Sequence, residues 1–185
     1  MAWKRSRVQV PYGPQFIFTY MKKRVFIIHG WDGHPGESWF PWLKKELELK
    51  NYEVIIPQLP NPEEPRIKNW IEFLLTLSPH PDENTFFIGH SMGCQAIIRY
   101  LESLNNKVMI GGAVFVAGFL KRLSNLEDDD VVKSVAEEWL TTKIDFDKVR
   151  THLNKSIAIF SDDDMYVPLD NQDLFRDELS SKIII

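Results

Sequence analysis

Ser91 lies in the run "FFIGHSMGCQAIIRY", residues 86–100, with glycine at both second neighbours, Gly89 and Gly93. An apolar strand-like segment precedes it and an amphipathic helical pattern follows. In that context Gly-x-Ser-x-Gly becomes a sharp strand-to-helix turn presenting a serine as nucleophile. The turn holds the serine in a strained backbone conformation, and side chains two positions away on either side would collide there. A hydroxyl at neutral pH attacks almost nothing unaided, so the chemistry also needs oxyanion donors, a base and a carboxylate to orient the base. The plainer alternative is a glycine-rich turn with no chemistry.

The backbone N–H of Met92, at the start of the following helix, is one expected oxyanion donor. The second is expected from "HGWDGHPGE", after the first strand pattern, with the N–H of Trp31 best placed. The segment "IAIFSDDDMYVP" supplies three aspartates directly after a later strand pattern; Asp164 is the expected acid and Asp163 the reserve.

The base is the difficulty. In this type of site the chain order is serine, acid, histidine, yet His29, His34, His80, His90 and His152 all precede Asp164. His90 adjoins the serine, where neighbouring side chains point different ways. His29 ends the first strand and is expected to support the oxyanion loop, while His80 and His152 read as ordinary surface-loop or helix-end residues. His34 is kept as a remote substitute. A binuclear metal site on His29, Asp32 and His34 is a weak alternative, because no second ligand cluster follows.

The elements that must position these residues begin at Arg24. Strand-like runs "RVFII", "EVII", "TFFIG", "GGAVFV", "SIAIF" and "KIII" alternate with helical patterns over residues 38–50, 67–77, 92–104, 130–141 and 170–179. That βαβαβαβαβαβ order predicts a parallel α/β sheet with helices on both faces. Prolines fall in loops such as "PQLPNPEEPR" and "SPHPDEN". The acidic run 127–130 precedes a helical pattern and reads as capping rather than metal binding.

At 185 residues and 44% hydrophobic, the chain fits one domain able to bury a core. A net charge of −4, from 26 acidic and 22 basic residues without a basic block, argues against nucleic acid and anionic membrane as partners and favours small molecules. Cys94 is the only cysteine, which excludes an intramolecular disulfide and a multi-cysteine zinc site and points to the cytoplasm. No apolar run reaches the ~18 residues of a membrane span. Residues 1–20 read as an upstream extension without a signal-peptide core, with an added edge strand at residues 16–19 as the alternative, and residues 21–185 as the domain. The terminal "SSKIII" reads as a core strand cut off midway.

Together, "VFIIHGWDG", "SWFPWLKKELE", "PQLPNPEEPRIKNWIEFL", "ENTFFIGHSMGCQAIIRYLE", "GGAVFVAGFLKRLSNL" and "SDDDMYVP" resemble the small serine hydrolases of the α/β-hydrolase superfamily, the family of the retinoblastoma-binding serine hydrolase and its bacterial relatives. The resemblance covers roughly residues 22–170. It implies a compact α/β-hydrolase fold with minimal lid, a Ser-Asp-His triad with Ser91 as nucleophile and Asp164 as acid, small esters or amides as substrates, and no cofactor. The family's histidine stands in a Gly-His-Phe segment after the last strand, before a closing helix. This resemblance therefore implies that the base, the closing helix and most of the last strand are missing from the 185 residues. A noncatalytic binding or scaffold protein on the same fold is the alternative function. The family's Leu-x-Cys-x-Glu motif for a retinoblastoma-type partner is not matched by "MGCQA" around Cys94, so no such partner is implied.

Overall fold

The computed structural model describes residues 22–105 and 108–185; the expectations for residues 1–20 lie outside them. Among the described residues six strands, β1 (Arg24–Ile28), β2 (Glu53–Ile55), β3 (Thr85–His90), β4 (Gly112–Val116), β5 (Ser156–Ile159) and β6 (Lys182–Ile184), form one sheet in the order β2-β1-β3-β4-β5-β6. Every pairing is parallel, as the alternation of strand and helix patterns requires. The last strand does form: Lys182, Ile183 and Ile184 pair with Ile157, Ala158 and Ile159, so three residues suffice to set its register.

Among the described residues six helices accompany the sheet: α1 (Phe40–Leu49), α2 (Ile67–Leu77), α3 (Met92–Ser103), α4 (Asp130–Thr141), α5 (Phe146–Arg150) and α6 (Gln172–Leu179). Helix α1 begins two residues later than its pattern suggests. Ser38 has φ 50°, outside helical geometry, and the entry is made at Trp39 with Pro41 in the first turn. The acidic run does cap α4, because the Asp129 carboxylate accepts from the N–H of Val131 at 2.8 Å and of Val132 at 3.1 Å. Helix α5 carries too few residues to announce itself by periodicity; Asp145 caps it through the Lys148 N–H at 3.0 Å. The pattern read from Asp170 divides into a short 3-10 turn, Leu169–Asn171, followed by α6.

The two faces of the sheet are unequally covered. On one, Phe26, Ile28, Phe87, Phe115 and Ala158 pack against α2 to α6, and Phe175 of α6 meets the rings of Phe115 and Phe160 at centroid distances of 5.3 and 5.6 Å. On the other, α1 packs Phe40 over Val25, Ile27 and Val54. Beyond α1, Phe86, Ile88, Val114 and Ile157 line an open apolar trough and are half-buried, which gives β3 and β5 their alternating burial.

Helix α3 runs through the centre and is buried from Met92 to Leu101, including Arg99. The Arg99 guanidinium donates to the carbonyl of Thr142 at 2.8 Å and of Trp139 at 3.1 Å, satisfying carbonyls at the end of α4. Burial holds this guanidinium below its ordinary pKa, although nearby Glu102 and Glu138 oppose that shift. No described helix is long and apolar enough to cross a membrane.

Candidate active site

The carboxyl ends of the central parallel strands open into a common crevice, the usual ligand position in such sheets. Strand β3 delivers Ser91, β1 the loop from His29, β4 the wall from Phe119, and β5 the aspartates 162–164.

Ser91 has φ 51° and ψ −120°, a conformation that an L-residue adopts only under constraint. Its own N–H donates to the Val116 carbonyl at 2.8 Å, and its carbonyl accepts from the Cys94 N–H at 3.0 Å. The flanking glycines are required by what passes beside them. A Cβ on Gly89 would lie 2.7 Å from the Cys94 nitrogen, and one on Gly93 would lie 2.3 Å from the Ile28 carbonyl oxygen. Gly93 thus lets α3 press against the end of β1, so the glycine requirement reaches beyond the turn itself.

The loop after β1 passes directly over the serine: a Cβ on Gly30 would sit 3.0 Å from the Ser91 Cβ. Trp31 follows Gly30 and lines the same cleft as Ser91. Neither the Trp31 N–H nor the Met92 N–H donates to an acceptor among the described residues, which leaves both free for a ligand oxygen. The loop is pinned by the Trp31 indole, which donates to the Glu63 carbonyl at 3.0 Å, and by the Asp32 N–H, which donates to the Pro62 carbonyl at 2.6 Å.

His29 braces this loop from below. It is fully buried; its Nδ1–H donates to the Gly30 carbonyl at 2.8 Å and its Nε2 accepts from the Leu59 N–H at 3.0 Å. Those partners fix the neutral tautomer and leave no ring lone pair for a metal, which removes His29 from the metal reading. Burial lowers its pKa; the Gly30 carbonyl and Glu37 oppose the shift.

Asp164 and Asp163 are held differently. One Asp164 carboxylate oxygen accepts from the N–H of Tyr166 at 2.8 Å and of Val167 at 2.9 Å, a turn that orients the half-buried group. Asp163 is exposed and takes the Ser161 hydroxyl.

No described histidine hydrogen-bonds Ser91. His34 is exposed, with Nδ1 accepting from the Gly36 N–H at 3.2 Å. His90 points toward Glu37, 3.9 Å from its Nδ1, and between the rings of Trp39 and Phe40. Burial lowers the His90 pKa, with Glu37 and then Asp164 pulling the other way. His152 is not a surface residue: it is buried, with Nδ1 donating to the Val108 carbonyl at 2.8 Å. Cys94 is buried behind Ser91 and its thiol pKa is pushed far above normal by burial, so it is no rival nucleophile.

One residue that no motif announces ties the site together. Asn171 is fully buried; its side-chain oxygen accepts from the N–H of Leu120 and Lys121 at 2.9 Å each, and its nitrogen donates to the Pro168 and Arg122 carbonyls at 2.9 and 3.0 Å. It joins the wall after β4 to the segment following Asp164. The cleft between these loops holds about 520 Å3 and is lined by Trp31, Ser91, Phe119, Leu123, Val132 and Tyr166 among others.

A parallel sheet carrying a serine elbow at its centre defines an α/β-hydrolase fold. The sequence profile of the serine hydrolase family matches residues 25–185, and the chain belongs to that family. YdeN of Bacillus subtilis (strain 168) is 36% identical over 148 residues, 80% of this chain and 74% of that protein. The serine hydrolase RBBP9 of Rattus norvegicus is 26% identical over 147 residues, 79% of this chain and 73% of that protein. The crystal structure of the B. subtilis ydeN gene product superposes with a TM-score of 0.79 at 31% identity, covering 88% of this chain and 84% of that one. Est1E from Butyrivibrio proteoclasticus shares the fold, with a TM-score of 0.68 at 13% identity over 88% of this chain and 77% of its own.

Proposed function

We propose that the chain cleaves small esters or amides by acyl transfer through Ser91. The Ser91 oxygen attacks the substrate carbonyl, the N–H groups of Trp31 and Met92 hold the oxyanion, and the alcohol or amine departs to leave a Ser91 ester that water hydrolyses. The observation that carries this reading is the strained Ser91 conformation at the start of α3, beneath the backbone of Gly30. Asp164 is the acid of choice over Asp163, because two backbone N–H groups orient its carboxylate. Family membership favours a hydrolase over a noncatalytic scaffold.

The proton acceptor is not supplied by a histidine bonded to Ser91 within the described residues. A base there must take the Ser91 proton as its oxygen attacks and return it to the departing alcohol or amine. Added imidazole then acts as the base.

The test is hydrolysis of 4-nitrophenyl acetate by the 185-residue chain and by Ser91→Ala, with and without imidazole, after subtracting the protein-free rate. Ser91→Ala should lose an order of magnitude or more, and imidazole should accelerate only the protein that retains Ser91. Equal rates for the two proteins would remove the assignment.

A further inference from the structure

The cleft beside Ser91 has a one-sided charge. Asp32, Glu63 and Glu127 line it, while no lysine or arginine among the described residues does. The cations of the surrounding loops are already engaged: Arg66 with Glu64 at 2.6 Å and Glu138 at 3.1 Å, Lys121 and Arg122 with Asp170 at 3.0 and 3.2 Å, and Lys133 with Asp128. Among the described residues Asp32, Glu63 and Glu127 have no ion-pair partner.

These carboxylates are attached to ordered backbone. The Asp32 N–H to the Pro62 carbonyl and the Trp31 indole to the Glu63 carbonyl lock the first two loops together. Glu127 approaches from the loop after β4, beside the cleft residues Asn125 and Leu126. The same cleft is lined by the partly exposed rings of Trp31 and Tyr166. Aromatic faces and uncompensated carboxylates favour the same ligand charge, an organic cation, and oppose an anion.

We propose that the site selects esters or amides that carry an ammonium group on an apolar body, and disfavours substrates carrying a carboxylate. This deepens the hydrolase reading and rests on it for the chemistry at Ser91. The apolar body packs on the aromatic walls while the ammonium faces the acidic side of the cleft. Neutral analogues of the same shape retain the apolar contact and lose the attraction.

Binding separates this selectivity from catalysis. The 185-residue chain is titrated calorimetrically with 3-phenylpropyl-trimethylammonium, with its neutral carbon isostere bearing a tert-butyl group, and with 4-phenylbutyrate. The cation should bind about tenfold more tightly than the neutral isostere at low ionic strength, with the carboxylate weakest, and this order should compress as salt is added. The combined variant Asp32→Asn, Glu63→Gln, Glu127→Gln should lose the preference while still binding the neutral isostere as before. Equal affinities, no measurable binding of the cation, or a preference that survives in the combined variant would each overturn the inference. The hydrolase reading fails separately, through the Ser91→Ala comparison, which does not depend on ligand charge.

Discussion

The side-chain oxygen of Asn171 accepts from the backbone N–H of Lys121 at 2.9 Å, across 50 residues of chain. That bond, with its companions to Leu120, Arg122 and Pro168, makes one buried amide the fastener between the cleft wall and the strand-end loop carrying Asp164.

Asn171→Ala should therefore destabilise the fold by about 3 kcal/mol, since buried backbone groups lose their partners. Urea unfolding measures that loss. Labelling of Ser91 in the protein that remains folded should also slow, because the wall beside the cleft loosens. An unchanged unfolding midpoint would contradict the fastener role.

Gly93→Ala should be more damaging than an ordinary glycine replacement in a helix. The new methyl would approach the Ile28 carbonyl oxygen to 2.3 Å, so α3 must separate from β1. A loss above about 3 kcal/mol is expected. Thermal unfolding of the variant beside the parent protein measures it.

Arg99→Met keeps the apolar stem and removes the donors at the end of α4. The Trp139 and Thr142 carbonyls lose their charged partner, which should cost about 2 kcal/mol and should specifically accelerate amide hydrogen exchange in α4. Exchange that rises uniformly along the chain would point to a general loss of packing instead.

The buried histidines set a direction for pH dependence. His29 and His90 both have folded pKa values lowered chiefly by burial, so the unfolded chain takes up protons that the folded chain refuses. Their contribution is fully present above the unfolded value near 6.5 and is lost as pH falls below it toward the folded values. Urea midpoints should decline between pH 7 and 5, on the order of the histidine titration range, and His29→Asn should flatten the decline. A midpoint that rises on acidification would contradict the buried neutral imidazole.

Much of this architecture was legible in the sequence. Five of the helical patterns and all six strand runs correspond to elements, because parallel strands and amphipathic helices write different periods into the chain. The elbow around Ser91 was legible for the same reason, since its glycines and its strand-to-helix context are local. Contacts across long sequence separations were not. Nothing local marks Asn171 as a fastener or His152 as buried, because each role depends on segments about 50 and 44 residues away. Helix α5 was missed because five residues hold barely one turn of periodicity, and α1 starts later than the pattern over residues 38–50 because Ser38 turns through positive φ.

The proposal to test first is that Ser91 is the nucleophile. Intact-mass analysis after treatment with a fluorophosphonate, in the presence of imidazole, tests it most directly. The account predicts one adduct on the 185-residue chain and none on a folded Ser91→Ala variant; an adduct that persists in the variant, or none on folded parent protein, would contradict it.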